Sequence, residues 1–178
     1  ACLFNSNLWK KEFYLHNFLY GWKSRLYQLS SNFPNDDKKF RCHMITWEVN
    51  QKAGRKIPKD FFNNIIKTSF KILKIKKANV SIAIVKEEDI KKANKIYRHK
   101  DKVTDVLSFI YEKNPLEGEI LLCYKKVSEQ AKEKGHSLNQ ETKILLIHGL
   151  VHLVGYDHKK KRQANEMKQI EAMILKKI

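Results

Sequence analysis

Apolar positions along the chain alternate between short β-branched runs and longer stretches at helical spacing. Residues 44–49 (MITWEV) suit a strand. Gly54 and Pro58 then mark a turn into a helix carrying Phe61, Phe62, Ile65, Ile66, Ser69, Phe70 and Leu73. Residues 80–85 (VSIAIV) are strand-like, and residues 87–97 form a short helix with carboxylates suited to its N-terminal dipole. Two more strands are expected at 105–110 (DVLSFI) and 119–123 (EILLC), separated by a loop containing Pro115 and Gly118. A helix from about residue 127 to 134 stops at Gly135. Ser137 and Gln140 then offer a capping box for a helix running to Val154 and ending at Gly155. The last helix places Ala164, Met167, Ile170, Ile174 and Ile178 on one face. Four strands and about five helices predict an α/β fold, one mixed four-stranded sheet with helices packed on it.

Residues 1–42 stand outside this alternation. They hold aromatics at irregular spacing and end in a polar stretch, and an amphipathic helix over about 12–29 is plausible, with Leu15, Phe18, Leu19, Trp22 and Leu26 on one face. No compact apolar core precedes a small-residue cleavage site, so this is a poor secretory signal. The expected organisation is an N-terminal extension over 1–42, read as a non-catalytic appendage, and one domain over 43–178. A length of 178 residues suits that plan and can bury a core without staples.

Composition narrows the classes. A hydrophobic share of 42% with 31% charged residues is globular rather than disordered. The longest strongly apolar stretch, 144–154, is interrupted by two His and is too short to span a bilayer, so no membrane partner is expected. Cys2, Cys42 and Cys123 are odd in number and never in a C-x-x-C pair, which argues against a disulfide framework and favours a reducing compartment. The formal charge is +17, as a phosphate-binding surface needs. Yet only five of the 36 basic residues are Arg, the side chain whose planar fork suits phosphate, so part of this excess is compositional.

The chemistry concentrates at 146–158. His148 and His152 stand one helical turn apart on one face, where two imidazoles can reach one ion. Gly155 permits a left-handed turn that brings the chain back to deliver His158 as a third nitrogen ligand. Three neutral imidazoles with a vacant fourth position describe a catalytic zinc site better than a closed structural one. A single His on an apolar face is usually a satisfied core residue; three at H-x3-H-x2-G-x2-H spacing are hard to explain that way. The spacing equals that of the metzincin peptidases, H-E-x-x-H-x-x-G-x-x-H, except that Gly149 stands where those enzymes carry their general-base Glu. Standard metzincin proteolysis is therefore disfavoured, although zinc alone lowers the pKa of bound water towards ~7 and leaves hydrolysis open to a base from elsewhere. Met167 is core by register rather than a Met-turn.

Two separate stretches resemble the YbeY-type rRNA maturation factors. HGLVHLVGYDH at 148–158 matches that family's H-G-x-L-H-L-x-G-Y-D-H, with Val151 for Leu. Upstream, Tyr97-Arg98, a short polar stretch and TDVLSF at 104–109 match its Y/F-R and T-D-V-L-S-F-P, with Ile110 for Pro. Gly118-Glu119-Ile120 and the Glu166-Met167 and 171–175 patterns of the last helix also resemble it, and the likeness covers roughly 44–178. It implies an α/β fold with a metzincin-like zinc site on a helix and its following turn. It further implies a zinc-dependent, single-strand-specific endoribonuclease with one Zn2+ per chain, acting in 16S rRNA 3′-end maturation and late small-subunit quality control. The expected setting is the bacterial cytoplasm or an organelle of bacterial descent. The expected partners are rRNA, the small ribosomal subunit, one of its ribosomal proteins and a ribosome-assembly GTPase.

On that resemblance His148, His152 and His158 are the metal ligands and catalytic centre. Arg98 is the family's Arg, whose fork can hold a phosphate; the alternative is a salt bridge to Asp101 or Asp105. Ser108 is a candidate to hydrogen-bond substrate or to close a local turn. Lys159 and Lys160, in a KKKR run where acidic residues are usual, make the rim basic and are candidate RNA contacts. Asp157 either orients an imidazole or serves a turn; Tyr156 either stacks on a base or packs. Glu119 is expected to do no more than begin a strand, and His99 and His136 are expected to be solvent-exposed. Two rivals stand beside the nuclease: a metal-dependent hydrolase of another substrate, peptides included, and an rRNA-binding assembly factor whose metal is structural and which cuts nothing.

Overall fold

The computed structural model describes residues 45–158 and 160–178. In chain order the elements are β1 (Ile45–Gln51), α1 (Lys59–Ile72), β2 (Ala78–Val85), α2 (Glu87–Arg98), β3 (Val106–Lys113), β4 (Leu116–Cys123), α3 (Tyr124–Glu133), α4 (Leu138–Leu153) and α5 (Lys161–Leu175). The expected four strands and five helices are all present. The helix expected over 12–29, and the boundary at 42, lie outside the described residues.

The strands pair in the order β1-β2-β4-β3. β1 and β2 are parallel, β2 and β4 are parallel, and β3 closes one edge antiparallel to β4. The sheet is therefore mixed, as expected. Period-two alternation gives each strand two faces. On one face Val80, Ile82, Ile84, Ile120 and Leu122 join Phe62, Ile65, Ile66 and Phe70 of α1, Val127 of α3, the apolar residues of α4, and Met167 and Ile174 of α5. On the other face Ala83, Val85, Leu107, Leu121 and Cys123 are covered by α2 through Ile90 and Ala93.

One loop expectation is corrected. Residues 113–118 are not an open connection: Asn114 and Pro115 alone join β3 to β4, and Gly118 lies inside β4, paired with Val80 and Ile110. Turn residues at 114–118 suggest a loop locally, whereas two neighbouring strands supply enough ladder bonds to keep Gly118 in the sheet. α3 also begins at Tyr124 rather than near 127. Its polar first turn is held by ion pairs of Lys125 with Glu87 and Lys126 with Glu129.

α4 is buried on nearly every side, as a helix apolar all round must be. It lies between the sheet and the other helices of its face, α1, α3 and α5. Its start is well defined: Ser137 Oγ accepts the Gln140 N–H at 3.1 Å. One turn in, Glu141 is fully buried, held by Lys134 at 2.6 Å and by His136 at 3.2 Å. A carboxylate there also faces the positive end of the helix. His136 is thus exposed, as expected, yet engaged. Ser137→Ala removes a side-chain cap and is expected to destabilise the fold by about 1 kcal/mol in urea unfolding, with the helix content of the folded state unchanged.

Candidate metal centre

α4 carries the first two imidazoles and the turn after it the third. His152 is buried, His148 half-buried and His158 exposed, so the cluster opens to solvent on the His158 side. One nitrogen from each ring lies within 4.8 Å of the other two. Gly155 makes this possible with φ of +101°, a backbone conformation that strains any side chain bearing a Cβ. The chain turns there, and Asp157 Oδ1 accepts the His158 backbone N–H at 2.7 Å, fixing the third ring's backbone. Tyr156 packs against the main core and so takes the packing role.

The ring nitrogens turned away from the cluster are also engaged. His148 Nδ1 lies 2.7 Å from Glu171 Oε1, and His152 Nδ1 lies 2.7 Å from the Tyr156 carbonyl. A carboxylate and a carbonyl only accept, so each Nδ1 is the protonated nitrogen and each Nε2 keeps its lone pair. The two Nε2 atoms are 3.1 Å apart. With both rings neutral, the two Nε2 atoms face one another at a separation that one cation can bridge. Nitrogen–zinc bonds of about 2.0–2.1 Å put two nitrogens of one tetrahedral ion about 3.3 Å apart. The donor set therefore fits a borderline metal ion bound by three neutral imidazoles. Burial first, then the neighbouring His148, lower the His152 imidazole to about 4, outweighing the upward pull of its bond to the Tyr156 carbonyl. It is neutral, as a ligand must be, across the physiological range.

Position 149 explains the missing carboxylate. A Cβ built on Gly149 would stand 3.0 Å from Ile120 Cγ2 and 3.2 Å from Ser108 Oγ. The residue after the first ligand therefore faces the sheet and leaves no room for a Glu. Ser108, paired with Ile120 across β3 and β4, sits beneath α4 at this contact. It is half-buried on the edge strand, close to the backbone that carries His148.

The other candidates lie elsewhere. Arg98 ends α2, on the sheet face opposite α4, and makes no hydrogen bond or ring contact with the three imidazoles. Both carboxylates offered as its partners are taken. Asp101 pairs with Lys91 and Lys95. Asp105 accepts from Gln130, Thr104 and the Val106 N–H. Arg98 has no ion pair among the described residues. Lys160 is exposed at the N-cap of α5, and Lys159 lies outside the described residues. Arg162 pairs with Glu166 at 3.0 Å on the surface. His99 caps α2, exposed, in the left-handed conformation. Glu119 lies within β4, buried and accepting from the Tyr111 hydroxyl at 2.7 Å. It is on the face away from the histidines and so stays out of the site, as expected.

Glu171 and the Tyr156 carbonyl are parts of the site that sequence reasoning missed. The only signal for Glu171 was its place in the last-helix pattern, which says nothing of the imidazole it meets 23 residues earlier.

Fold and donor set define an α/β protein with a group of three histidines that could hold a metal ion. The family model for Endoribonuclease YbeY matches residues 46–178. The Endoribonuclease YbeY of Aquifex aeolicus is 35% identical over 129 residues, covering 70% of this chain and 86% of that protein. That of Ureaplasma parvum is 37% identical over 140 residues, covering 76% and 90%. The solution structure of a Thermotoga maritima protein superposes with a TM-score of 0.55 at 28% identity, covering 74% of this chain and 88% of that one. The chain belongs to the YbeY endoribonuclease family. Among the described residues no helix is long and apolar enough to cross a membrane.

Two substitutions test this local account. Gly149→Ala forces Ile120 or Ser108 aside and is expected to cost about 1–3 kcal/mol in denaturant unfolding. Asp105 is pushed up by burial, but its bonds from Gln130, Val106 and Thr104 prevail and hold its carboxyl below the usual range. A carboxyl lowered by folding stabilises above its unfolded pKa of about 3.9, and that contribution fades as pH falls through the folded value. Asp105→Asn is expected to lose about 1–2 kcal/mol at pH 7, with the gap to wild type closing below pH ~4 in a pH series of urea melts.

Proposed function

We propose that this chain is a zinc-dependent endoribonuclease that cuts single-stranded rRNA, acting in 16S 3′-end maturation and late small-subunit quality control. The observation that supports the metal dependence is the group of three imidazoles, one nitrogen of each within 4.8 Å of the others, with His148 Nδ1 and His152 Nδ1 each held by an acceptor. Family membership supports RNA as the substrate, and the basic excess agrees, with 29 basic against 16 acidic residues over 44–178. His148, His152 and His158 would hold the ion. Zinc, when bound there, supplies Lewis acidity towards a phosphoryl oxygen and a nucleophile at neutral pH.

The chain's own groups do the rest. The Arg98 guanidinium, with no carboxylate partner among the described residues, holds a phosphate of an RNA strand that passes the β3 edge between the two sheet faces. Ser108 lies on that edge strand and offers a hydroxyl, and Lys160, with Lys159 before it in the sequence, adds point charges for RNA contact. Glu171 is occupied in holding His148, and position 149 is closed by the sheet, so neither supplies a base to the substrate. The nucleophile, water or the substrate's own 2′-hydroxyl, then gives its proton to solvent. Lack of room at 149 speaks against peptide hydrolysis by the metzincin route.

The test uses purified protein of measured zinc content, given single-stranded rRNA 3′-precursor, duplex RNA and an unfolded protein. Cleavage of the single strand alone is expected. His152→Ala is expected to abolish cleavage together with metal binding, and Arg98→Ala to lower it by ~100-fold or more. Lys160→Ala is expected to weaken binding evenly across RNA sequences and to flatten its salt dependence by about one unit of slope. Cleavage by metal-free His152→Ala protein would sink the zinc mechanism. Tight rRNA binding by zinc-loaded wild type with no cleavage would favour a non-cutting assembly factor.

A further inference from the structure

α5 is lightly held. Only Met167 and Ile174 are fully buried, with Ile170, Leu175 and Ile178 partly so, and its neighbours are α4 and α1. Its N-cap, Lys160, makes no side-chain cap bond, and its surface ion pair of Arg162 with Glu166 is exposed and worth little. Against this background stands one short polar contact to the metal centre: Glu171 Oε1 to His148 Nδ1 at 2.7 Å, between groups that are both mostly covered. The preceding connection carries His158. The third ligand and the partner of the first ligand thus both depend on where the C-terminal segment lies, while His148 and His152 sit on the rigid central helix.

We propose that Glu171 is a positioning residue that couples metal occupancy to the docking of α5. Its carboxylate holds the His148 imidazole in the tautomer and orientation that present Nε2, and it raises that nitrogen's strength as a ligand. By reciprocity, whatever docked α5 adds to metal affinity, bound metal returns to the docking of α5. A state with α5 undocked loses the Glu171 contact and frees the loop bearing His158, so it binds metal more weakly; metal therefore favours the docked state by mass action. Nothing in this requires Glu171 to touch RNA.

The inference rests on the metal reading above, and the test separates the two. Zinc affinity would be measured by competition with a chromophoric chelator for wild type, Glu171→Ala and Glu171→Gln. Hydrogen exchange of the α5 amides would be followed with and without zinc, and the visible spectrum of the cobalt-substituted proteins recorded. Glu171→Ala is expected to lose ~10–100-fold in zinc affinity, to alter the cobalt spectrum, and to abolish the zinc-dependent slowing of α5 exchange seen in wild type. Glu171→Gln keeps an oxygen that accepts the Nδ1–H and is expected to lose less, which settles the matter should the alanine variant fold poorly. The inference is overturned if both variants bind zinc within twofold of wild type, or if they lose only metal-free stability while zinc still protects α5. Wild-type protein that binds no zinc would overturn the metal reading itself, and this inference with it.

Discussion

The contact between α4 and the sheet at Gly149 sets the position of everything in the site. At that residue the helix backbone lies so close to Ile120 and Ser108 that even a methyl group would be tight. A helix seated at that depth and rotation cannot turn independently of the strands beneath it. His148 and His152, being part of this helix, inherit its rigidity. The same contact excludes a carboxylate at the position where a metzincin peptidase keeps its base. One packing constraint thus both places two ligands and removes one kind of chemistry.

Rigidity alone would not make a ligand set, because an imidazole can present either nitrogen. Here the choice is made by two acceptors from different parts of the chain. The Tyr156 carbonyl belongs to the turn that ends α4, and Glu171 belongs to α5. Each takes the Nδ1 proton and leaves Nε2 for a cation. Burial keeps the His152 ring neutral with its ordinary titration far below physiological pH. The site is therefore assembled in layers, from the sheet through the central helix to the C-terminal helix, and each layer holds the one before it.

The upstream motif serves both structure and surface. Thr104 and Asp105 tie the start of β3 to itself and, through Gln130, to α3. With Asp101 and Asp105 both engaged elsewhere, Arg98 is left at the end of α2 without an ion pair among the described residues. A guanidinium with no carboxylate partner keeps its affinity for phosphate, whereas a general excess of lysines supplies mainly long-range attraction. Arg98 ends the helix on one face of the sheet and the histidines lie on the other.

The sequence by itself determined the elements and the group of three histidines. Helical spacing in α1 and α5, β-branched density in β2, and a serine cap before α4 are local signals, and each appears in the fold with ends shifted by a few residues. The three histidines were legible for the same reason: spacing of four on a helix and a glycine turn are local geometry. Tertiary structure decided what depends on distant chain segments meeting. It drew Gly118 into β4, because strand neighbours outweigh a local turn preference. It showed that Gly149 is glycine because strands β3 and β4 press on it. It also brought Glu171 to His148, 23 residues away in sequence, because α5 packs along α4. Periodicity within a helix says which face is apolar; it does not say which residue of another helix will stand opposite, and that is where the tautomer of the first ligand is set.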